Sequence, residues 1–309
     1  MKEGFSGFNL LGDRKRGPES EPQVETRVIL EFMRHGERER HPEKEKDGGP
    51  ELRLTPKGRA QAYARGEEIK AQTEVALGWG SPRIRSQETS YRVMLINEEL
   101  NQDDTFEEIE QKIGEKLGGV GKKILVDSRL DFHDKGPVAE AGKKAYHEKR
   151  YMSWVIDESD QSALETGDKE SSTYTRMAGN VAEIIRRYSK VANHFNRLAS
   201  KTDKYKKFGN QLERYFGTHQ GISESFATKA IEKVLGREKR DDFLTAVGSG
   251  FAEIEGIRIE IRNSGQEQEI VMIYKINGSE ESVGLTGSLL DEIIQEREGF
   301  EKMVADVQG

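Results

Sequence analysis

The run Arg27-Val28-Ile29-Leu30-Glu31-Phe32-Met33 is β-branched and apolar, and it stops at Arg34-His35-Gly36. Such a run reads as a strand buried inside a sheet, and the polar triplet that ends it reads as a loop at the strand's carboxyl end. The same grammar returns late in the chain. Gln211 to Thr218 has strand character and ends at His219-Gln220-Gly221, after which Ile222 to Leu235 is amphipathic with helical spacing. Two strand-then-helix units of this kind demand a sheet covered by helices, and they place two histidines at strand ends.

The segments between and after these units fill in the same picture. Thr55-Pro56 is a helix start by two signals, since Thr accepts from exposed amides as N-cap and Pro suits the first helical position; a helix is expected from Pro56 to about Ala71. Val75 to Trp79 is expected as a short strand, followed by Ser81-Pro82-Arg83-Ile84-Arg85 and a helix from Ser86 to about Leu100, so that Arg85 lies near a helix N-terminus. Phe106 to Gly121 reads as a charged helix and a glycine-rich turn, and Lys123 to Ser128 as a third strand. Between Pro137 and Ser200 the pattern is mostly helical, with Met177, Val181, Ile184, Ile185, Tyr188, Ala192 and Phe195 at three-to-four spacing. The tail from Phe251 to Ile276 alternates as two or three antiparallel strands turning at Asn263-Ser264-Gly265, and a last helix is expected over Leu289 to Val304.

These elements predict a three-layer α/β/α sandwich with a mixed, mostly parallel sheet and a helical cap insertion at about residues 101–175. Residues 1–25, rich in Gly, Pro and charge, are expected to form a flexible leader, and residues 26–309 a single domain. Sheets of this type bind ligands at the carboxyl ends of their strands. Arg34, His35, Arg85 and His219 all fall just past expected strands, so residues far apart in the chain are expected to meet in one crevice.

Composition narrows the chemistry. The net charge of -7 argues against a nucleic-acid partner, because such binders carry excess positive charge against the phosphate backbone. Cysteine is absent, which removes disulfides, thiolate metal sites and cysteine nucleophiles together. His41 lies six positions after His35 among glutamates, but its loop lacks regular ligand spacing, so no metal is expected. No apolar stretch approaches the roughly 18 residues of a membrane span, and a cytoplasmic protein without membrane contact is expected.

A phosphate monoester is nearly a dianion at neutral pH, so attack on its phosphorus requires that its charge be held first. Arginine does this with a planar fork of donors that stays charged. A neutral imidazole can then attack phosphorus and form a phosphohistidine, without a metal if the protein supplies enough positive donors.

Arg34-His35-Gly36, followed by Glu37, resembles the defining motif of the histidine phosphatase superfamily, also called phosphoglycerate mutase-like. Three further segments follow in that family's order: Leu54-Thr55-Pro56-Lys57-Gly58-Arg59-Ala60-Gln61-Ala62, Ser81-Pro82-Arg83-Ile84-Arg85-Ser86-Gln87-Glu88-Thr89, and Thr218-His219-Gln220-Gly221. The resemblance implies His35 as nucleophile, with Arg34, Arg85 and His219 gripping the phosphoryl group. Glu37 is given a loop-orienting part and no catalytic one, and Arg83 is close enough to Arg85 to help with substrate. Many members use a carboxylic acid to protonate the leaving oxygen. The corresponding stretch is Ser128-Arg129-Leu130-Asp131-Phe132-His133-Asp134, where Asp131 stands one residue early; it is the first candidate and Asp134 the second.

The expected function is hydrolysis of a small phosphorylated metabolite through a phosphohistidine, with no cofactor. The alternatives are a mutase that returns the phosphoryl group to another hydroxyl, and a non-catalytic protein that binds a phosphate ligand.

Overall fold

The computed structural model describes residues 24–41, 43, 49–69, 77–94, 101–116, 125–133, 135–264 and 267–307. In chain order these form strand β1 (Glu25–Arg34), helix α1 (Pro56–Ile69), β2 (Leu77–Gly80), α2 (Ile84–Met94), α3 (Phe106–Lys116) and β3 (Leu125–Val126). The middle of the chain holds α4 (Pro137–His147), α5 (Tyr151–Asp157), α6 (Ser159–Thr166) and α7 (Tyr174–Ala199). Then follow β4 (Gln211–Thr218), α8 (Ile222–Leu235), α9 (Arg237–Val247), β5 (Gly256–Ser264), β6 (Glu267–Ile276), β7 (Ser279–Leu285) and α10 (Gly287–Asp306).

The strands make one seven-stranded sheet in the order β3-β2-β4-β1-β5-β6-β7. β3, β2, β4 and β1 pair in parallel, whereas β1–β5, β5–β6 and β6–β7 are antiparallel, so five of the seven strands run the same way. The sheet is mixed, as the alternation of strands and helices predicts. β4 lies between β2 and β1 and is buried along its whole length.

Side-chain alternation explains the three layers. Val28, Leu30 and Phe32 of β1 point to one face, with Ile257, Ile259 and Ile261 of β5 and Ile270 and Met272 of β6, and pack beneath α7, α8 and α10. Met33 and Tyr215 point to the other face, where Ala62 of α1, Tyr91 and Met94 of α2 and Ile109 of α3 cover them. The apolar stripe read along the middle helix is the buried one: Met177, Val181, Ile184, Ile185, Ala192 and Phe195 all enter the first core, with Tyr188 packed against it.

Local signals placed β4 and α8 at the residues where they stand, and Thr55 caps α1 through its Oγ, which accepts from the Gly58 amide at 3.0 Å. Differences arise where tertiary contacts decide. α2 begins at Ile84 rather than Ser86, and β3 is only two residues long. Helix α9 and the third antiparallel strand's exact place were not anticipated. β6 and β7 join through Asn277-Gly278, both with positive φ (50° and 79°), the two-residue turn whose twist suits a hairpin. The expected leader up to residue 23, the ends of several expected elements (70–76, 95–100, 117–124), Gly265 and Asp134 lie outside the described residues.

Candidate active site

Four parallel strands end on one edge of the sheet, and the loops that leave them build the site. His35 directly follows β1, and its amide donates to the Thr218 carbonyl at 3.0 Å, which ties the ends of β1 and β4 together. His219 then follows β4 directly. α2 brings the third element by packing against the sheet at Gly217, where a Cβ would fall on the backbone carbonyl of Ser86. Ser86 seals that contact: its hydroxyl donates to the Gly217 carbonyl at 2.6 Å and accepts from the Ser81 amide at 2.8 Å. Arg85, one residue before, is thereby carried to the histidines.

The imidazole of His35 is oriented at both nitrogens. Its Nδ1 lies 2.8 Å from the Gly36 carbonyl, an acceptor only, so Nδ1 carries the proton and donates. Nε2 is left with its lone pair toward Nε of Arg85 at 3.3 Å. Burial, then Arg85 and Arg34, push the His35 pKa well below the ordinary histidine value of 6.5, so the ring is neutral at pH 7.

His219 is almost fully buried and meets His35 edge to face, with ring centroids 5.1 Å apart. Its Nε2 lies 2.8 Å from Ser81 Oγ and 3.4 Å from Asp131 Oδ1, while its Nδ1 is buried without a hydrogen-bond partner. Burial is again the first cause of a pKa held well below 6.5, followed by Arg85 and His35. Arg34 donates to the Phe251 carbonyl at 2.7 Å and has a buried, unpartnered Nε. Glu224, buried at the start of α8, fixes that acceptor by taking the Phe251 amide at 2.9 Å. Arg85 donates to the Gly49 carbonyl at 2.7 Å.

Arg34, His35, Arg85 and His219 line one cavity of about 330 Å³. Two guanidiniums and two neutral imidazoles at one concave surface favour a compact anion. Buried donors and ring nitrogens without partners are costly, and oxyanion contacts there would relieve that cost. A dianion between them would also offset the arginine repulsion that adds to burial in keeping the imidazoles neutral.

The other residues singled out from the sequence take supporting places. Glu37 pins the loop after His35 to α1, through Thr55 Oγ at 3.1 Å and Lys57 at 2.7 Å. Arg83 does not line the cavity; it is buried behind it, stacked 4.0 Å from the Phe132 ring centre and paired with Asp131 at 2.7 Å. Asp131 does not line the cavity either, and it touches the site only through Arg83 and His219. Ser81, Phe132 and His133 were missed as site residues. The quoted segments contain them, but nothing in the local pattern says that Ser81 meets His219 or that His133 faces the cavity. Among the described residues no group of three potential ligands gathers to hold a metal ion.

Comparison with known proteins agrees with the motif. The model of the histidine phosphatase superfamily (branch 1) matches residues 30–117. No curated protein matches the chain. Among solved structures, "Mycobacterial hydrolase 1" is 14% identical, with 85% of this chain and 97% of that chain covered and a TM-score of 0.40. A mycobacterial glucosyl-3-phosphoglycerate phosphatase is 16% identical over 77% of this chain and 90% of its own, with a TM-score of 0.40. A phosphoglycerate mutase from Bacillus anthracis is 13% identical over 87% and 97%, with a TM-score of 0.41. With Arg34, His35 and Arg85 all inside the matched stretch, residues 30–117 carry the signature of the histidine phosphatase superfamily, branch 1.

Proposed function

We propose that the protein is a phosphatase that hydrolyses phosphate monoesters through a phosphohistidine on His35, in the cytoplasm and without a metal. The observation that carries this reading is the hydrogen bond from His35 Nδ1 to the Gly36 carbonyl, which leaves Nε2 unprotonated, its lone pair accepting from Arg85 Nε at 3.3 Å. Arg34, Arg85 and His219 hold the phosphoryl oxygens. The Nε2 lone pair attacks phosphorus, the ester P–O bond breaks, and the leaving oxygen takes a proton. Water then attacks the phosphohistidine, the P–N bond breaks, and phosphate leaves with the imidazole restored.

In this reading residues 26–309 form one domain, and the segment of about 101–175 caps the site with α4 and α5. Asp131 is the proposed proton donor to the leaving oxygen. Its pairing with Arg83 gives it a rival part, that of positioning Arg83 and His219. Asp131→Asn separates the two: a donor's loss depresses alkyl-phosphate turnover by roughly 10²–10⁴-fold and spares nitrophenyl phosphate, whose leaving group needs little protonation. A positioning residue's loss depresses both alike.

The test of the main reading is to quench the enzyme during turnover and look for acid-labile phosphate on His35, with His35→Ala as control and EDTA present throughout. Turnover by His35→Ala near that of the parent, or activity abolished by EDTA and restored by one divalent ion, overturns it. Phosphate binding without turnover of any ester leaves a binding protein instead.

A further inference from the structure

The phosphate-binding end accounts for only part of the 330 Å³ cavity, and the remainder is walled by the cap. Val138, Ala139 and Gly142 of α4 present an apolar surface there, continued by the rings of Tyr146, Tyr151 and Trp154. The rings form a ledge: Tyr146 meets Tyr151 edge to face at 6.1 Å, and Tyr151 stacks with Trp154 at 6.2 Å. Gly142 permits it, because a Cβ at that position would fall 2.9 Å from the Trp154 ring.

Several polar side chains along the same wall have protein partners, while Arg38, His147 and the hydroxyl-bearing Tyr146 and Tyr151 line it as well. Ser171 donates to Asp168 at 2.5 Å, Ser172 accepts from the His133 amide at 2.8 Å, and Gln220 donates to the Ser249 carbonyl. Lys143 pairs with Glu140 at 2.7 Å and His133 lies 3.4 Å from Glu170. No carboxylate lines the cavity among the described residues. Against Val138, Ala139, Gly142 and the ring faces a polyhydroxylated body finds few partners, a desolvation cost that an apolar body does not incur.

Resting on the phosphatase reading, we propose that the alcohol part of the substrate is an apolar, ring-bearing body that docks on the Tyr146–Tyr151–Trp154 ledge while its phosphate lies against His35. The cavity volume falls within the range of small-molecule sites, which are mostly apolar with a few convergent polar groups.

The test compares two esters that both expel alkoxides, 2-phenylethyl phosphate and glycerol 1-phosphate, so that leaving-group chemistry does not masquerade as recognition. The two matching phosphonates, which cannot be hydrolysed, are titrated by calorimetry alongside. The expected result is a preference of about tenfold or more for the phenyl compound, both in kcat/KM and in Kd. Tyr146→Ser, at a half-exposed position where the fold tolerates change, is expected to shrink that preference by about threefold. Equal binding of the two phosphonates, or a preference unchanged in Tyr146→Ser, overturns the proposal. Failure of both esters to turn over, with the phosphonate preference intact, sinks the phosphatase reading and leaves the ledge standing.

Discussion

The two halves of the sheet differ in how their strands are joined, and that difference decides which half carries chemistry. β3, β2, β4 and β1 are parallel, so each connection must cross back over the sheet, and four carboxyl ends collect on one edge. Arg34 ends β1, His35 and His219 follow β1 and β4, and Ser81, Arg83 and Arg85 follow β2. β5, β6 and β7 are antiparallel, and β6 turns into β7 through Asn277-Gly278, so their ends alternate between the two edges. That half cannot concentrate residues at one edge. It contributes apolar core under α8 and α10 and, just before β5, the Phe251 carbonyl that holds Arg34. Parallel order makes a site, and antiparallel order makes a wall behind it.

This contrast can be broken at graded cost. Arg85→Ala removes a cation from the parallel edge and is expected to lower kcat/KM by about 10²–10³-fold, as loss of a donor to developing charge does. Steady-state kinetics on nitrophenyl phosphate reads it, and a change under tenfold would place the anion site elsewhere. Gly217→Ala tests the close approach of α2 to β4. Its Cβ would fall on the Ser86 carbonyl, so the helix must shift, with a loss of about 1–3 kcal/mol and a fall in activity as Arg85 moves. Urea midpoints and kcat/KM together check it, and a neutral variant would show that α2 is not held where Arg85 needs it.

A third expectation concerns pH. His35 and His219 are both held well below 6.5 in the folded state, so the unfolded chain binds more protons as acid is added. Their contribution to stability is complete above about 6.5 and is lost as pH falls from there toward the folded values. Tm is expected to drop over that interval, and vanadate, by favouring the imidazolium form, is expected to lessen the drop. Substituting both histidines with Asn should flatten the same interval; an unchanged profile would assign the acid sensitivity to other groups. The smallest effect belongs to the antiparallel half. Gly284→Ala in β7 has open space around the added Cβ and should be neutral or stabilise by about 0.4–1 kcal/mol, with activity unchanged. A loss of turnover there would mean that the antiparallel wall shapes the site after all.

What could be read from the sequence by itself was whatever adjacent residues decide. The apolar run before Arg34-His35-Gly36 set a buried strand and the place of His35. Thr55-Pro56 set a helix start that the Thr55 cap bears out, and the spacing of Met177, Val181, Ile184 and Ile185 set the buried stripe of α7. Asn277-Gly278 was equally legible as a hairpin turn and was passed over. Contacts between distant segments were of another kind. Arg83 looks like a substrate arginine beside Arg85, yet at the start of α2 they diverge, Arg85 toward His35 and Arg83 toward Asp131 and Phe132. Which of two neighbouring cations faces the cavity depends on how α2 seats on the sheet, and Gly217, 132 positions after Arg85 in the chain, decides that seating. The aromatic ledge has the same origin: Tyr146, Tyr151 and Trp154 have no local pattern that tells a cavity wall from a core, because only the packing of α4 and α5 over the strand ends gives them a face toward the phosphate site.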